Sequence, residues 1–352
     1  MNDSVVELAQ QLVAIPSVSD QEQAVVEFVV QLAAERGWAT ERIPVQPGRD
    51  NVLIGLGTPA VLLSTHLDVV PADPALFSPR IKNEALYGRG ACDAKGIAAC
   101  MLGAAIELER RGRSGFGLLF VVGEEKDGIG AKAATKALSG RGITCIVNGE
   151  PTECRLVKAH KGYYGCTMRA AGRACHSGYP ELGESAILKL AHVIVDLEQA
   201  AFPADRILGA TTLNFGMIKG GVALNVLPPS AELVFSCRTV CDGAIVDAAI
   251  RDIVAQRASL EQVEWIDPVT LHTLPGFETS VVAYGSDIPS YLPLECALMM
   301  YGPGTIHVAH TDDEHVLLSE LDRATKGYVE IIERLLGGEI PEKSGVADSP
   351  GS

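Results

Sequence analysis

Cationic side chains are the scarce ones in this sequence. Lys and Arg number 29 against 44 Asp and Glu, a net charge of −15 at pH 7 over 352 residues. That balance argues against phosphate backbones and anionic membrane surfaces as partners, so neither a nucleic acid nor a membrane is expected. No apolar run approaches the roughly 18 residues a bilayer-spanning helix needs. The opening stretch, MNDSVVELAQQLVAIPSVSD, lacks a basic region followed by an apolar one, so no signal peptide is expected. CxxC pairs are absent as well. The nine cysteines are scattered and odd in number, which suits reduced thiols in a cytoplasmic protein better than a disulfide framework. Low-complexity tracts and internal repeats are missing from the main body.

What the chain does have is core. Apolar residues make up 47% of it, and its length favours two domains. Periodicity predicts helices over 4–14, 21–36, 95–111 and 129–139, with strands over 51–55, 60–65, 117–122 and 143–147. Alternating strands and helices predict an α/β fold, a mostly parallel sheet with helices on both faces. The middle changes character. A strand at 165–171, a helix at 184–199, strands at 211–219 and 231–240, a helix at 244–256 and a strand at 263–267 give the order β-α-β-β-α-β of a ferredoxin-like unit. The expected organisation is therefore an α/β domain over 1–160 and 268–340, interrupted by an α+β domain over 161–267. A helix is expected over 319–336, and the polar tail, 341–352, is expected to be disordered.

Chemistry gathers at the predicted strand ends. The strand VLLSTH ends at His66, with Asp68 two residues on and so on the same face of an extended chain. Alone, the pair reads first as a strand-end histidine beside a solvated acid, with a zinc ligand and its orienting carboxylate as the alternative. Asp93 in YGRGACDAKG sits among glycines just before a helix, where an N-cap is the plain alternative. Glu124 and Glu125 follow the run GLLFVVG, and Glu150 follows the next strand in NGEPT. His310 comes later, after the glycine-proline loop of YGPGTIHVAH. Candidates at the C-terminal ends of strands fall where open α/β sheets bind ligands. Imidazoles mixed with carboxylates suit zinc, manganese or cobalt better than magnesium. Two metals 3.5–4 Å apart need a bridging carboxylate. Side by side on a turning chain, one of Glu124 and Glu125 can bind metal while the other serves as general base.

Taken together, AIPSVS (14–19), THLDVVP, GRGACDAKG, GEE, GEPT, CHSG, NVLP and AHTDDEHV (309–316) resemble the M20 family of metallopeptidases and deacylases nearly end to end. The family includes acetylornithine deacetylase, succinyl-diaminopimelate desuccinylase, carboxypeptidase G2-like enzymes and aminoacylase-1. The resemblance implies a zinc-exopeptidase-like catalytic domain with an inserted lid and dimerisation domain. It also implies two divalent metals, zinc with cobalt or manganese as alternatives. His66, Asp93 and Glu150 would hold one, and Asp93, Glu125 and His310 the other. Glu124 would be the general base and Asp68 would orient His66. His176 of ACHSGYP would steady the oxyanion, while Asn225 and Arg238 would bind substrate, Arg238 through its carboxylate. The expected activity is removal of an N-acyl group from an amino acid, acetylornithine deacetylase-like; the alternative is an exopeptidase, a dipeptidase or glutamate-type carboxypeptidase. A homodimer through the inserted domain and a small-molecule substrate are the expected partners. His307, His160, His192, His272 and His315 are expected to be loop, surface or packing residues, and Cys92 and Cys175 small fillers.

Overall fold

A computed structural model describes residues 4–339; the tail at 341–352, expected to be disordered, lies outside the described residues. The chain forms two compact units. The first takes the chain through Lys158, then Leu271–Ser280, then onward from Ser286; the second is Ala159–Thr270 with Val281–Gly285. In chain order the main elements of the first stretch are α1 Val5–Val13, α2 Gln23–Glu35, β1 Ala39–Gln46, β2 Arg49–Leu56, β3 Val61–His66, β4 Ala85–Tyr87, α3 Lys95–Arg110, β5 Phe116–Val121, α4 Ile129–Leu138 and β6 Cys145–Asn148. Then follow β7 Gly162–Ala171, α5 Ala186–Gln199, β8 Thr212–Gly220, β9 Ser230–Thr239, α6 Gly243–Val254 and β10 Ser259–Ile266. The last are β11 Ala297–Met300, β12 His315–Leu317 and α7 Leu318–Leu336.

The first unit is built on a six-stranded sheet, ordered β1-β2-β5-β3-β6-β11. Strand β3 runs parallel to β5 and β6, and β6 parallel to β11, whereas β1, β2 and β5 pair antiparallel. The runs VLLSTH and FGLLFV are buried at every position, as strands covered on both faces must be. Val52, Ile54, Leu63, Leu118, Phe120 and Val147 share one apolar cluster with residues of α1, α2, α3 and α7. Their chain neighbours Leu53, Leu62, Leu119 and Ile146 are buried as well, and alternation turns these to the opposite face. Helix α4 packs on β1, β2 and β5.

Among the features not read from the sequence are β1, the edge strand β11, and a small sheet joining β12, β4 and Arg80–Lys82. Segment 39–46, ATERIPVQ, is exposed at most positions and carries a proline, so it lacks the apolar run that marked the buried strands.

The second unit holds a four-stranded antiparallel sheet, ordered β8-β9-β7-β10, reached in the order β-α-β-β-α-β. Strand β9 alternates buried with less buried positions along its length, the signature of a sheet with one face on a core. That core includes Met168, Leu190, Leu233, Phe235 and Ile250. Strand β10 starts four residues earlier than the expected 263, because LEQV extends the pairing with β7 across an irregularity near Gln262.

Candidate metal centre

Adjacent strands of the large sheet deliver the candidates together. His66 closes β3 and pairs with Val121, the last residue of β5, while Ser64 pairs with Asn148, the last of β6. The chain leaving β5 turns at Gly123, whose φ is +76°, a backbone setting that favours glycine. The chain leaving β6 passes through Gly149, where a β-carbon would come within 2.5 Å of Ile97 and Met101. Glu124, Glu125 and Glu150 therefore emerge at the same sheet edge as His66. The chain leaving β11 forms the loop that carries His310. Asp93 departs from the expected pattern: it follows no strand of the large sheet and instead sits in the turn between β4 and α3.

Two clusters result. One ligand atom each from His66, Asp93 and Glu150, all three buried, lies within 4.8 Å of the others, and the same holds for Asp93, Glu125 and His310. Asp93 belongs to both. Its Oδ1 is 3.1 Å from His66 Nε2 and its Oδ2 is 3.5 Å from His310 Nε2. His310 Nε2 also lies 3.0 Å from Glu125, and Asn148 Nδ2 donates to Glu150 Oε1 at 3.2 Å.

Asp68 does more than face its histidine. His66 Nδ1 meets the Asp68 backbone oxygen at 3.0 Å and its carboxylate at 3.6 Å. That carboxylate accepts the backbone N–H of Glu124 on Oδ1 and of Glu125 on Oδ2, each at 3.1 Å, and the Ser19 hydroxyl at 2.8 Å. It thereby pins the turn on which the two glutamates sit.

The electrostatics of the cluster are those of crowded acid. Burial, reinforced by neighbouring carboxylates and opposed by His66, raises the carboxyls of Glu124 and Glu150 well above the usual range. Burial also opposes charge on Asp93 and His66, but their contacts win: His310 and His66 hold Asp93 well below its usual value, and Asp68 and Asp93 raise His66. Contact with Asp93 and Glu125 lifts His310 to about 10. Four carboxylates thus converge on two imidazoles, and without a cation some must hold protons. Dications would relieve that crowding, and the mixed donor set fits zinc, cobalt or manganese.

Residues 62–334 match Peptidase family M20/M25/M40. The chain belongs to this family. A "Probable carboxypeptidase" from Aspergillus clavatus is 33% identical over 94% of this chain and 88% of its own. In fold, a tripeptidase from Staphylococcus aureus superposes with a TM-score of 0.82 at 20% identity, covering 95% of this chain and 99% of its own. A dinuclear metal-binding M20 peptidase from Bacillus subtilis gives 0.71 at 16% identity, covering 95% and 98%. The M20 chain is accordingly a hydrolase of amide bonds, a metallopeptidase.

The remaining sequence candidates lie in the second unit. His176 is exposed, its Nδ1 accepting from Gly178 N at 3.1 Å, and Ser177 N donates to the Asn225 oxygen at 3.0 Å, so the CHSG and NVLP loops touch. Arg238 lies on β9 with its guanidinium 5.5 Å from the centre of the Tyr163 ring, and no carboxylate among the described residues pairs with it. His307 is exposed and joins neither cluster, while His315 stacks on Tyr87 at 4.8 Å. His160 is buried in the second unit, its Nδ1 against the Lys161 oxygen at 3.0 Å.

Three buried acids of the first unit had escaped notice: Glu22, which pairs with Arg49 at 2.6 Å, Asp287 and Glu314. Burial raises Asp287 to about 7, with His66 opposing. Its setting, GSDIPS before a short helix, reads as a common cap, and TDDEHV reads as a solvated acidic turn. Neither string signals burial.

Proposed function

We propose that this M20 chain releases an amino acid with a free α-carboxylate by cutting the amide bond on that amino acid's nitrogen. The observation that carries the proposal is the pair of ligand sets sharing Asp93, with Glu124 on the turn beside Glu125. His66, Asp93 and Glu150 would hold one divalent ion, and Asp93, Glu125 and His310 the other; zinc is the proposed metal, with cobalt or manganese as substitutes. Such ions, when bound, supply Lewis-acid polarisation of the scissile carbonyl and an acidified water. Glu124 takes the proton of the attacking water on its carboxylate and returns it to the departing nitrogen. His176 would donate to the developing oxyanion. Asn225 would hold the substrate, and Arg238, with no carboxylate partner among the described residues, would pair with the α-carboxylate in a bidentate fork.

The acyl side can be peptidyl, as in a carboxypeptidase, or a small acyl group, as in acetylornithine deacetylase. The name of the Aspergillus relative favours the peptidyl form. The single-residue leaving group is common to both, and the deacetylase form is kept as the second reading because Glu150 is the residue that deacylases and carboxypeptidases of the resemblance share.

We also propose a homodimer through the second unit. Strand β8 ends its sheet, and Met217, Ile218 and Leu224 on and after it are exposed; an open edge beside apolar side chains invites a second copy. Nine cysteines, none in a disulfide, suit a cytoplasmic setting.

The test is a panel of dipeptides, tripeptides and N-acetyl amino acids, each with a free C-terminus and as the carboxamide. The proposal expects release from free carboxylates alone. Equal cleavage of carboxamides, or release of the N-terminal residue from tripeptides, would sink it. Turnover of acetyl amino acids without peptides would select the deacetylase form.

A further inference from the structure

Glu314 is a buried carboxylate that the reaction outlined above does not use, and all of its contacts lead to the turn carrying Asp93. Its Oε1 accepts the backbone N–H groups of Gly90 at 2.9 Å and of Cys92 and Asp93 at 3.1 Å. Its Oε2 takes Arg89 Nη1 at 2.5 Å, and its backbone oxygen accepts Gly88 N at 3.1 Å. The turn 88–93 is thus wrapped around one side chain, as a run of converging backbone amides wraps an anion. Gly90 has a φ of +86°, the left-handed setting that lets neighbouring amides point at one oxygen.

The position of Glu314 in the chain gives this arrangement its meaning. It stands four residues after His310, at the far end of the same loop. One residue therefore ties the turn presenting Asp93 to the segment presenting His310. Asp93 must aim its two oxygens at different imidazoles, Oδ1 at His66 and Oδ2 at His310. A rotation of the turn would misdirect both at once. A buried ion pair kept only for stability would need Arg89, but not three amides of the ligand turn.

We infer that Glu314 is a positioning residue for the metal pair: it fixes the orientation of the bridging Asp93 through the backbone and sets its distance to His310. The inference rests on the ligand assignment made under the proposed function. Residues that orient metal ligands from behind typically change metal affinity about 10- to 100-fold when altered.

The experiment compares wild type, Glu314→Gln and Glu314→Ala. Leu335→Ala, a core change on α7 with no contact to the turn, serves as a control for lost stability. Each is freed of metal, checked for a cooperative melt, and titrated with Co²⁺ by calorimetry and visible absorption. Amide hydrogen exchange of residues 90–93 is followed without metal. Glu314→Gln keeps the shape but sets an NH₂ against either Arg89 or the three amides. It is expected to bind Co²⁺ about tenfold more weakly, and Glu314→Ala about 100-fold more weakly. Both should show an altered Co²⁺ spectrum and faster exchange at 90–93, and Leu335→Ala should show neither. If Glu314→Ala does not fold, the Gln variant decides alone. Affinity within twofold of wild type and an unchanged spectrum in a folded Glu314→Gln protein would overturn the inference. Failure of wild type itself to bind two Co²⁺ would instead overturn the ligand assignment.

Discussion

Replacing Asp68 by Asn keeps the size of a side chain on which the geometry of the general base depends. The aspartate accepts three hydrogen bonds and donates none: Glu124 N on Oδ1, Glu125 N and the Ser19 hydroxyl on Oδ2. An amide has one accepting oxygen, so in either flip its NH₂ confronts at least one backbone N–H. A hydrogen bond to a charged group is worth about 1.5–3 kcal/mol, and a buried donor left unsatisfied costs about 1–3. The two overlap, so a loss of about 2–4 kcal/mol is expected. For a unit of this size each kcal/mol lowers Tm by about 2–4 °C, which gives a fall of roughly 5–15 °C. Because the lost contacts hold the turn of Glu124 and Glu125, kcat should drop too, by about 100-fold if the base shifts by an ångström. Ser19→Ala removes one half-buried contact to the same carboxylate and leaves no N–H unsatisfied, so it should cost about 1.5 kcal/mol, the low end of that range. Thermal melts of the metal-free variants and kcat at saturating metal check both numbers. An Asp68→Asn protein with wild-type Tm and kcat would refute the view that this carboxylate anchors the turn.

Stability of the metal-free protein should fall as pH rises from about 4 to 7, because Asp287 keeps its proton up to about 7 when folded and only to about 3.9 when unfolded. Glu150 shifts the same way; melts in chelator across that range, with saturating metal as the comparison, would expose an opposite slope. Arg238→Ala should lower kcat/KM for free-carboxylate substrates about 10- to 150-fold, the equivalent of a charged hydrogen bond of about 1.5–3 kcal/mol. Any residual cleavage of the matching carboxamides should not fall with it, and an equal loss on both would remove Arg238 from carboxylate recognition. Ile218→Lys, which sets a charge on the open β8 edge, should halve the mass seen by light scattering; a wild-type monomer would end the dimer proposal.

The parts of the fold legible in sequence were those written in side chains. VLLSTH and GLLFVV read as buried strands because apolar runs of that length are covered on both faces, and both lie in the middle of the sheet. The β-α-β-β-α-β order of the second unit was legible because β9 and its helices keep clean periods. Strand β1 was not, since its exposed, charged positions carry no such pattern. At the candidate metal centre His66, Asp93, Glu124, Glu125, Glu150 and His310 were all visible as residue types at strand ends and turns. What escaped were the groups that act through the backbone. The hold of Asp68 on two amides, and of Glu314 on three, involves N–H groups that every residue but proline has, so no letter in the sequence marks them. Asp287 escaped because burial of a lone acid depends on packing from distant segments.

The central claim is that two ions and one free carboxylate, Glu124, divide the work of cutting an amide. The direct test is to measure bound metal and released amino acid together for wild type and Glu124→Gln. The account predicts two ions per chain in both proteins, with turnover in wild type and a loss of about 10²- to 10⁴-fold in the variant, the range a positioned general base contributes. A variant that turns over at the wild-type rate with both ions bound, or a wild type that hydrolyses its substrate with no metal at all, would contradict it.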